Sequence, residues 1–184
     1  MPTRRQQLLD RSLGYLLDHG IADLSLRPLA ARIGTSARLL IYHFGSREGL
    51  LTAVMDEVRA RLQASFTAMS QRTVTRKTSP LEAFWRWATA AEQIAYVRLL
   101  FEVQVLALQR PAVFGPYLER TSDTWIAAIQ PALPAPIRNP ETATLCAAVM
   151  DGLLLEFLAT GDRRRTTRAL KAFRTLLQHK AGLA

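Results

Sequence analysis

Three histidines, His19, His43 and His179, and one cysteine, Cys146, are scattered over 184 residues. No two of them stand at the spacing of a metal cage or of a nucleophile with its base. No Gly-rich loop is placed to cradle a phosphate, and no nucleophile elbow presents a serine. One cysteine also forbids an intramolecular disulfide, which fits a reducing cytoplasm. The chain is instead rich in guanidinium groups: 24 Lys and Arg stand against 15 Asp and Glu, a net charge of +9 with a pI near 10.7. Arginine offers a planar fork of donors that fits phosphate oxygens and the guanine edge. The chemistry on offer is recognition of a polyanion, with neither cofactor nor metal implied. Charge alone does not locate it, because residues 1–50 hold seven Arg against Asp10, Asp18, Asp23 and Glu48.

The elements that position these groups read as helices throughout. Hydrophobic residues at 49% and charged residues at 21% suit a globular chain with a real core. Thr3-Arg-Arg-Gln6 opens a helix with Leu9, Leu13, Leu16 and Leu17 on one face, closed by Gly20. Ser25 caps a short second helix with Leu26, Leu29, Ala30 and Ile33 inward. Pro28 falls in its first turn, so Ser25 can accept only from the amide of Arg27. Gly34 ends that helix, Ser36 caps a third from Ala37 to His43, and Ser46 starts a long fourth of about six turns. The polar stretch Ser70 to Ser79 reads as a loop. Helices follow at about Pro80–Ala90, Ile94–Gln109 and Val113–Gln130, the sixth apolar nearly all round and expected at the centre of the second domain. Past the Pro-rich link 131–136, an eighth helix runs from Asn139 to about Thr160 and a ninth from Arg163 to about His179. No stretch reaches the ~20 consecutive apolar residues of a membrane span, and the first residues do not form a signal peptide.

Cap, helix, Gly turn, cap, helix over Ser25–His43 is the arrangement of a helix-turn-helix. Leu40 and Phe44 would face the core while Ala37, Arg38 and Tyr42 fall elsewhere. In register and without a gap, Ser25, Leu29, Ala30, Gly34, Ser36, Leu40, His43, Phe44, Arg47 and Leu50 match the pattern of the TetR family, which this segment resembles. It departs from that pattern at Pro28, at Arg38 where Gly is frequent, and at Ile41 where Tyr is usual. The resemblance implies an all-α, nine-helix protein with a DNA-binding domain at 1–50, its helix-turn-helix at about 24–43. A ligand-binding and dimerisation domain would follow at 51–184. It implies a dimeric repressor released from a pseudo-palindromic double-stranded operator by a small-molecule effector, acting in the cytoplasm and not at a membrane.

On that frame Arg38 and Tyr42 are expected at base edges, with Ala37 and Leu39 flanking them near thymine methyl groups. Arg27, Ser36, His43 and Arg47 are expected at phosphates, helped by the amides of the fourth helix. Arg4 and Arg5 could reach the adjacent backbone or minor groove. Effector contacts are expected among Trp85, Trp87, Phe101, Glu102, Phe114, Tyr117, Trp125 and Met150. The dimer would form through Leu145, Val149, Leu153 and Phe157 of the eighth helix and Ala169, Leu170, Phe173, Leu176 and Leu177 of the ninth. Two other readings fit an all-α chain: an enzyme, for which no site is visible, and a helical adaptor without DNA recognition, which only Pro28 and Ile41 favour.

Overall fold

The computed structural model describes residues 2–22, 24–73 and 79–182. Among them lie α1 (Arg4–His19), α2 (Leu26–Arg32), α3 (Ala37–Phe44), α4 (Arg47–Thr73), α5 (Pro80–Ala88), α6 (Ala91–Gln109), α7 (Pro111–Ile129), α8 (Pro140–Thr160) and α9 (Arg163–Lys180), with no strand. The Pro-rich link forms two 3₁₀ turns, Gln130–Ala132 and Ala135–Ile137. Local cap chemistry sets several of the starts. Thr3 accepts from the Gln6 amide, Ser36 from Leu39, Asn139 from Thr142 and Asp162 from Arg165. Ser25 makes no side-chain cap bond, contrary to expectation. The fourth helix runs on to Thr73, well into the segment read as a loop, of which 74–78 lie outside the described residues.

The helices form two compact units. One comprises Met1–Ala64 with Glu92–Leu118, the other Ser65–Ala91 with Glu119–Ala184, so α4 and α7 each contribute to both. In the first unit Leu8, Leu13, Leu16, Leu29, Leu40 and Leu50 are fully buried. The sixth helix belongs here and not at the centre of a second domain, for a polar reason. Arg98 Nη2 donates to the Leu17 carbonyl at 2.5 Å, and Glu102 Oε2 accepts from the Ile21 amide at 2.5 Å. The two side chains also pair with each other at 3.4 Å, so one ion pair on α6 holds the carboxyl end of α1.

In the second unit α9 lies against α5 and α8. Arg174 pairs with Glu82 at 2.8 Å, and the Trp85 indole donates to Thr167 Oγ1 at 2.9 Å. Cys146 is buried in a cluster with Leu133, Ile137, Ala143, Leu177 and Ala181. Burial pushes its thiol pKa up, which keeps it protonated and disfavours a redox role. By length and mean hydropathy (1.6) α8 alone among the described helices could cross a membrane, although it carries Glu141, Asp151 and Glu156.

Candidate nucleic-acid interface

The reading head is built outward from two buried side chains. Leu40 and Phe44, one turn apart on α3, seat that helix against the core of the first unit. The opposite side must then face out. Arg38 is exposed there, and Tyr42, one turn on, is 80% exposed. Ala37 and Ile41 form the adjacent row, so Ile41, which lacks the hydroxyl of the usual Tyr, shares the outward face at 40% exposure. Its spacing from Ala37 was the available signal. A cationic fork, a phenol and two apolar contacts on one helical face suit the edges of base pairs in a major groove.

The expected phosphate contacts divide. Arg27 is exposed at the start of α2. The Ser36 hydroxyl accepts from the Leu39 amide, capping α3, with its own proton left to donate; Leu39 itself is half-buried. His43 is half-buried, edge-on to Tyr42 and Phe44. Arg47 is largely turned inward. Its Nε donates to the Leu24 carbonyl at 2.8 Å and its Nη1 lies 3.6 Å from Glu48, so it buttresses the turn into α2 before it reaches any phosphate. Nor are the α4 amides free for an anion. Ser46 Oγ accepts from the Gly49 amide, and Glu48 places its own carboxylate in the first turn. A hydrogen bond from its own backbone N–H, opposed by desolvation and helped by Arg110 and Arg47, holds the Glu48 pKa below its ordinary value. The Arg110 contact is 2.7 Å. This stabilisation is complete above the ordinary carboxylate range and is lost as pH falls through the lowered value. At the amino terminus, the Arg5 guanidinium lies 4.9 Å from the centroid of the Phe44 ring, a cation–π contact that brings it to the end of α3.

The residues expected at an effector divide between the two units. Phe101, Glu102, Phe114 and Tyr117 belong to the first unit, and Trp85, Trp87, Trp125 and Met150 to the second. Glu102 is engaged by Ile21 and Arg98, Phe114 is buried, and the buried Tyr117 hydroxyl donates to the Met55 carbonyl at 3.1 Å. Trp85 is buried edge-on to Phe157, and Met150 is in the core of α8. Trp87 and Trp125 do meet, at 6.3 Å between centroids, in a quartet with Phe84 and with Phe66, which the sequence reading missed as a site residue. All six ring pairs lie between 5.3 and 6.3 Å, and the Trp87 indole donates to Ser65 Oγ at 2.8 Å.

Comparison with known proteins bears on the same segment. Residues 8–54 match the family described as bacterial regulatory proteins, tetR family. The chain is 36% identical over 67 residues to the HTH-type transcriptional regulator BetI of Cronobacter sakazakii (strain ATCC BAA-894), a match spanning 36% of this chain and 33% of that protein. It is 28% identical over 162 residues to BetI 1 of Chromohalobacter salexigens, covering 84% of this chain and 78% of the relative. Among solved structures it is similar to the multidrug binding protein EbrR complexed with imidazole, at a TM-score of 0.69 and 26% identity, covering 96% of this chain and 90% of the other.

Proposed function

The chain belongs to the tetR family and is a DNA-binding transcriptional regulator, not an enzyme; from that premise we propose that it is a cytoplasmic, dimeric repressor released from a pseudo-palindromic operator by a small-molecule effector. The observation that carries the proposal is the outward face of α3, where Arg38 and Tyr42 stand free over a buried Leu40 and Phe44. In the proposed complex Arg38 and Tyr42 read base edges, with Ala37, Leu39 and Ile41 beside them. Arg27, Ser36, His43 and the outer edge of Arg47 meet phosphates.

Arg38→Ala is expected to lower discrimination between operator and altered operator by roughly 1–3 kcal/mol. Arg27→Ala is expected to weaken binding to all sequences and to flatten the log–log salt dependence by about one unit. Competition binding at several salt concentrations reads both. Undiminished discrimination in Arg38→Ala removes the base-reading assignment.

The aromatic quartet of the second unit is the proposed effector site. Four rings in mutual edge and tilted contact form an apolar body that a flat aromatic compound can enter by replacing ring–ring contacts with its own. That EbrR is a multidrug binding protein agrees with such a site. Titration with a planar aromatic compound is expected to quench tryptophan fluorescence and release operator DNA. Trp125→Ala should weaken that response about tenfold, on the scale of one aromatic contact; an equal response in the variant moves the site elsewhere.

The proposed dimer face is the exposed side of α8 and α9. On α8, Leu145, Ala148, Gly152, Leu155 and Ala159 recur at steps of three and four, and all five are exposed. On α9, Ala169, Ala172 and Leu176 do the same. The residues first read as the stripe separate: Leu170 and Leu177 are buried in the chain's own core, and Val149, Leu153, Phe157 and Phe173 are half-buried. Leu145 at 48%, Leu176 at 68% and the exposed Ala169 remain from that reading.

A further inference from the structure

We propose that the first unit carries a ligand site of its own, a groove between α1 and the end of α2 that takes a purine mononucleotide, its phosphate on Arg11 and Arg32 and its base on Tyr15 and His19. The groove shares no residue with the outward face of α3 or with the aromatic quartet.

Arg11, Gly14, Tyr15, Asp18 and His19 stand at i, i+3, i+4, i+7 and i+8 along α1 and so share one side of that helix. Arg32 and Ile33, at the end of α2, form the facing wall. The groove between them measures about 380 Å³, within the range of small-molecule sites. Arg11 fixes the wall, its Nη1 donating to the Ile33 carbonyl at 3.2 Å. Gly14 keeps the floor low. A glycine inside an α-helix costs about 1 kcal/mol against alanine, and the usual reasons for accepting that cost are missing here. Its φ is not positive, and a Cβ on Gly14 would meet nothing within 4 Å. The chain's own packing makes no use of the missing side chain; a ligand lying across α1 does.

The groove is chemically polarised. At one end Arg11 bonds only a neutral carbonyl, and among the described residues no bond or ion pair answers Arg32. Two guanidinium groups without an acid are answered by an anion, and phosphate oxygens accept from both forks. Asp18 lies seven residues, ~10 Å, further along α1 and is likewise unanswered among the described residues. Its carboxylate turns a phosphate away from that end and accepts N–H groups there. Between the two ends the Tyr15 and His19 rings are stacked, 4.1 Å between centroids and 7° from parallel. His19 Nδ1 donates to the Tyr15 carbonyl at 2.8 Å, which holds the imidazole on the phenol. Such a flat pair is a surface on which a base stacks. A phosphate, a flat ring and an N–H edge, in that order, are the parts of a mononucleotide. Guanine carries two adjacent N–H donors on its pairing edge and matches the two oxygens of Asp18; adenine carries a single donor group there.

Equilibrium dialysis of the full chain against guanosine monophosphate, with no DNA present, tests the site. Binding is expected, about tenfold weaker in Arg32→Ala and about tenfold weaker for guanosine, which lacks the phosphate. It should be lost in Gly14→Leu, whose side chain fills the floor and favours the helix, so that a misfolded variant is not the cause. Asp18→Asn should remove the preference for guanosine over adenosine monophosphate. No binding at about 1 mM nucleotide, or equal binding by Gly14→Leu, would overturn the proposal. So would inorganic phosphate that competes as well as the nucleotide, which reduces the groove to an anion contact, or a single-stranded oligonucleotide that binds where the free nucleotide does not. Operator DNA enters none of these measurements, so their failure is distinct from a failure of the repressor reading.

Discussion

Gly20→Ala is expected to destabilise the chain by about 3–5 kcal/mol. Gly20 closes α1 at φ 77 and ψ −172, a region that is essentially glycine's alone and costs other residues ~1–3 kcal/mol. A Cβ there would stand 2.9 Å from Glu102 Oε2, so the carboxylate must also withdraw. Its bond to the Ile21 amide goes with it, and a charged acceptor lost to a buried residue costs roughly 1.5–3 kcal/mol. For a chain of this size each kcal/mol shifts Tm by about 2–4 °C, so the loss should approach 10 °C in a calorimetric scan. Glu102→Ala forfeits the bond without the strain. The two substitutions should therefore be non-additive by at least ~1 kcal/mol, because in the double variant no carboxylate remains to be displaced. Additive losses would show that the close approach is tolerated and the carboxylate is not what holds this corner. Operator binding should weaken as the variant unfolds, since α1 packs on α2 in the reading head.

That corner shows where sequence reasoning stops. Gly20 was legible as a helix end because the signal is local, and so were the caps at Thr3, Ser36, Asn139 and Asp162, each of which bonds an amide three residues on. The role of Glu102 was not legible, because its partner lies 81 residues away and nothing in the spacing from Arg98 distinguishes a latch from an exposed i,i+4 pair. The inner contact of Arg47 was hidden in the same way, because the Leu24 carbonyl that accepts from its Nε is 23 residues upstream. The aromatic quartet draws on α4, α5 and α7, so only the fold could add Phe66 to Trp87 and Trp125. Ser25 is the opposite case, a strong cap residue whose side chain makes no cap bond at all.

On α8 the four-residue stripe of the sequence and the exposed side diverge for a geometric reason with a measurable consequence. Steps of four residues drift about 40° each around a helix of 3.6 residues per turn. The series Leu145, Val149, Leu153, Phe157 therefore winds ~120° from the exposed side towards the chain's own core, whereas Leu145, Ala148, Gly152, Leu155 and Ala159 stay on one side. Leu155, 52% exposed in the single chain, is then the position where an introduced charge would be felt only on association. Leu155→Glu is expected to leave helicity intact, because glutamate is a good helix former on an exposed face. A carboxylate buried without a partner in each of two symmetric positions would separate the chains. Two reading heads on one dimer bind a two-fold site as a linked pair, and linkage of this kind contributes 10²–10⁴ in affinity. The monomeric variant should accordingly lose operator affinity on the order of 10³-fold while keeping its preference among half-sites, since the face of α3 is untouched. Sedimentation and half-site competition together read this out. A Leu155→Glu chain that stays dimeric would place the interface off this face of α8; one that is monomeric yet binds operator at full strength would show that the heads need no dimer to act.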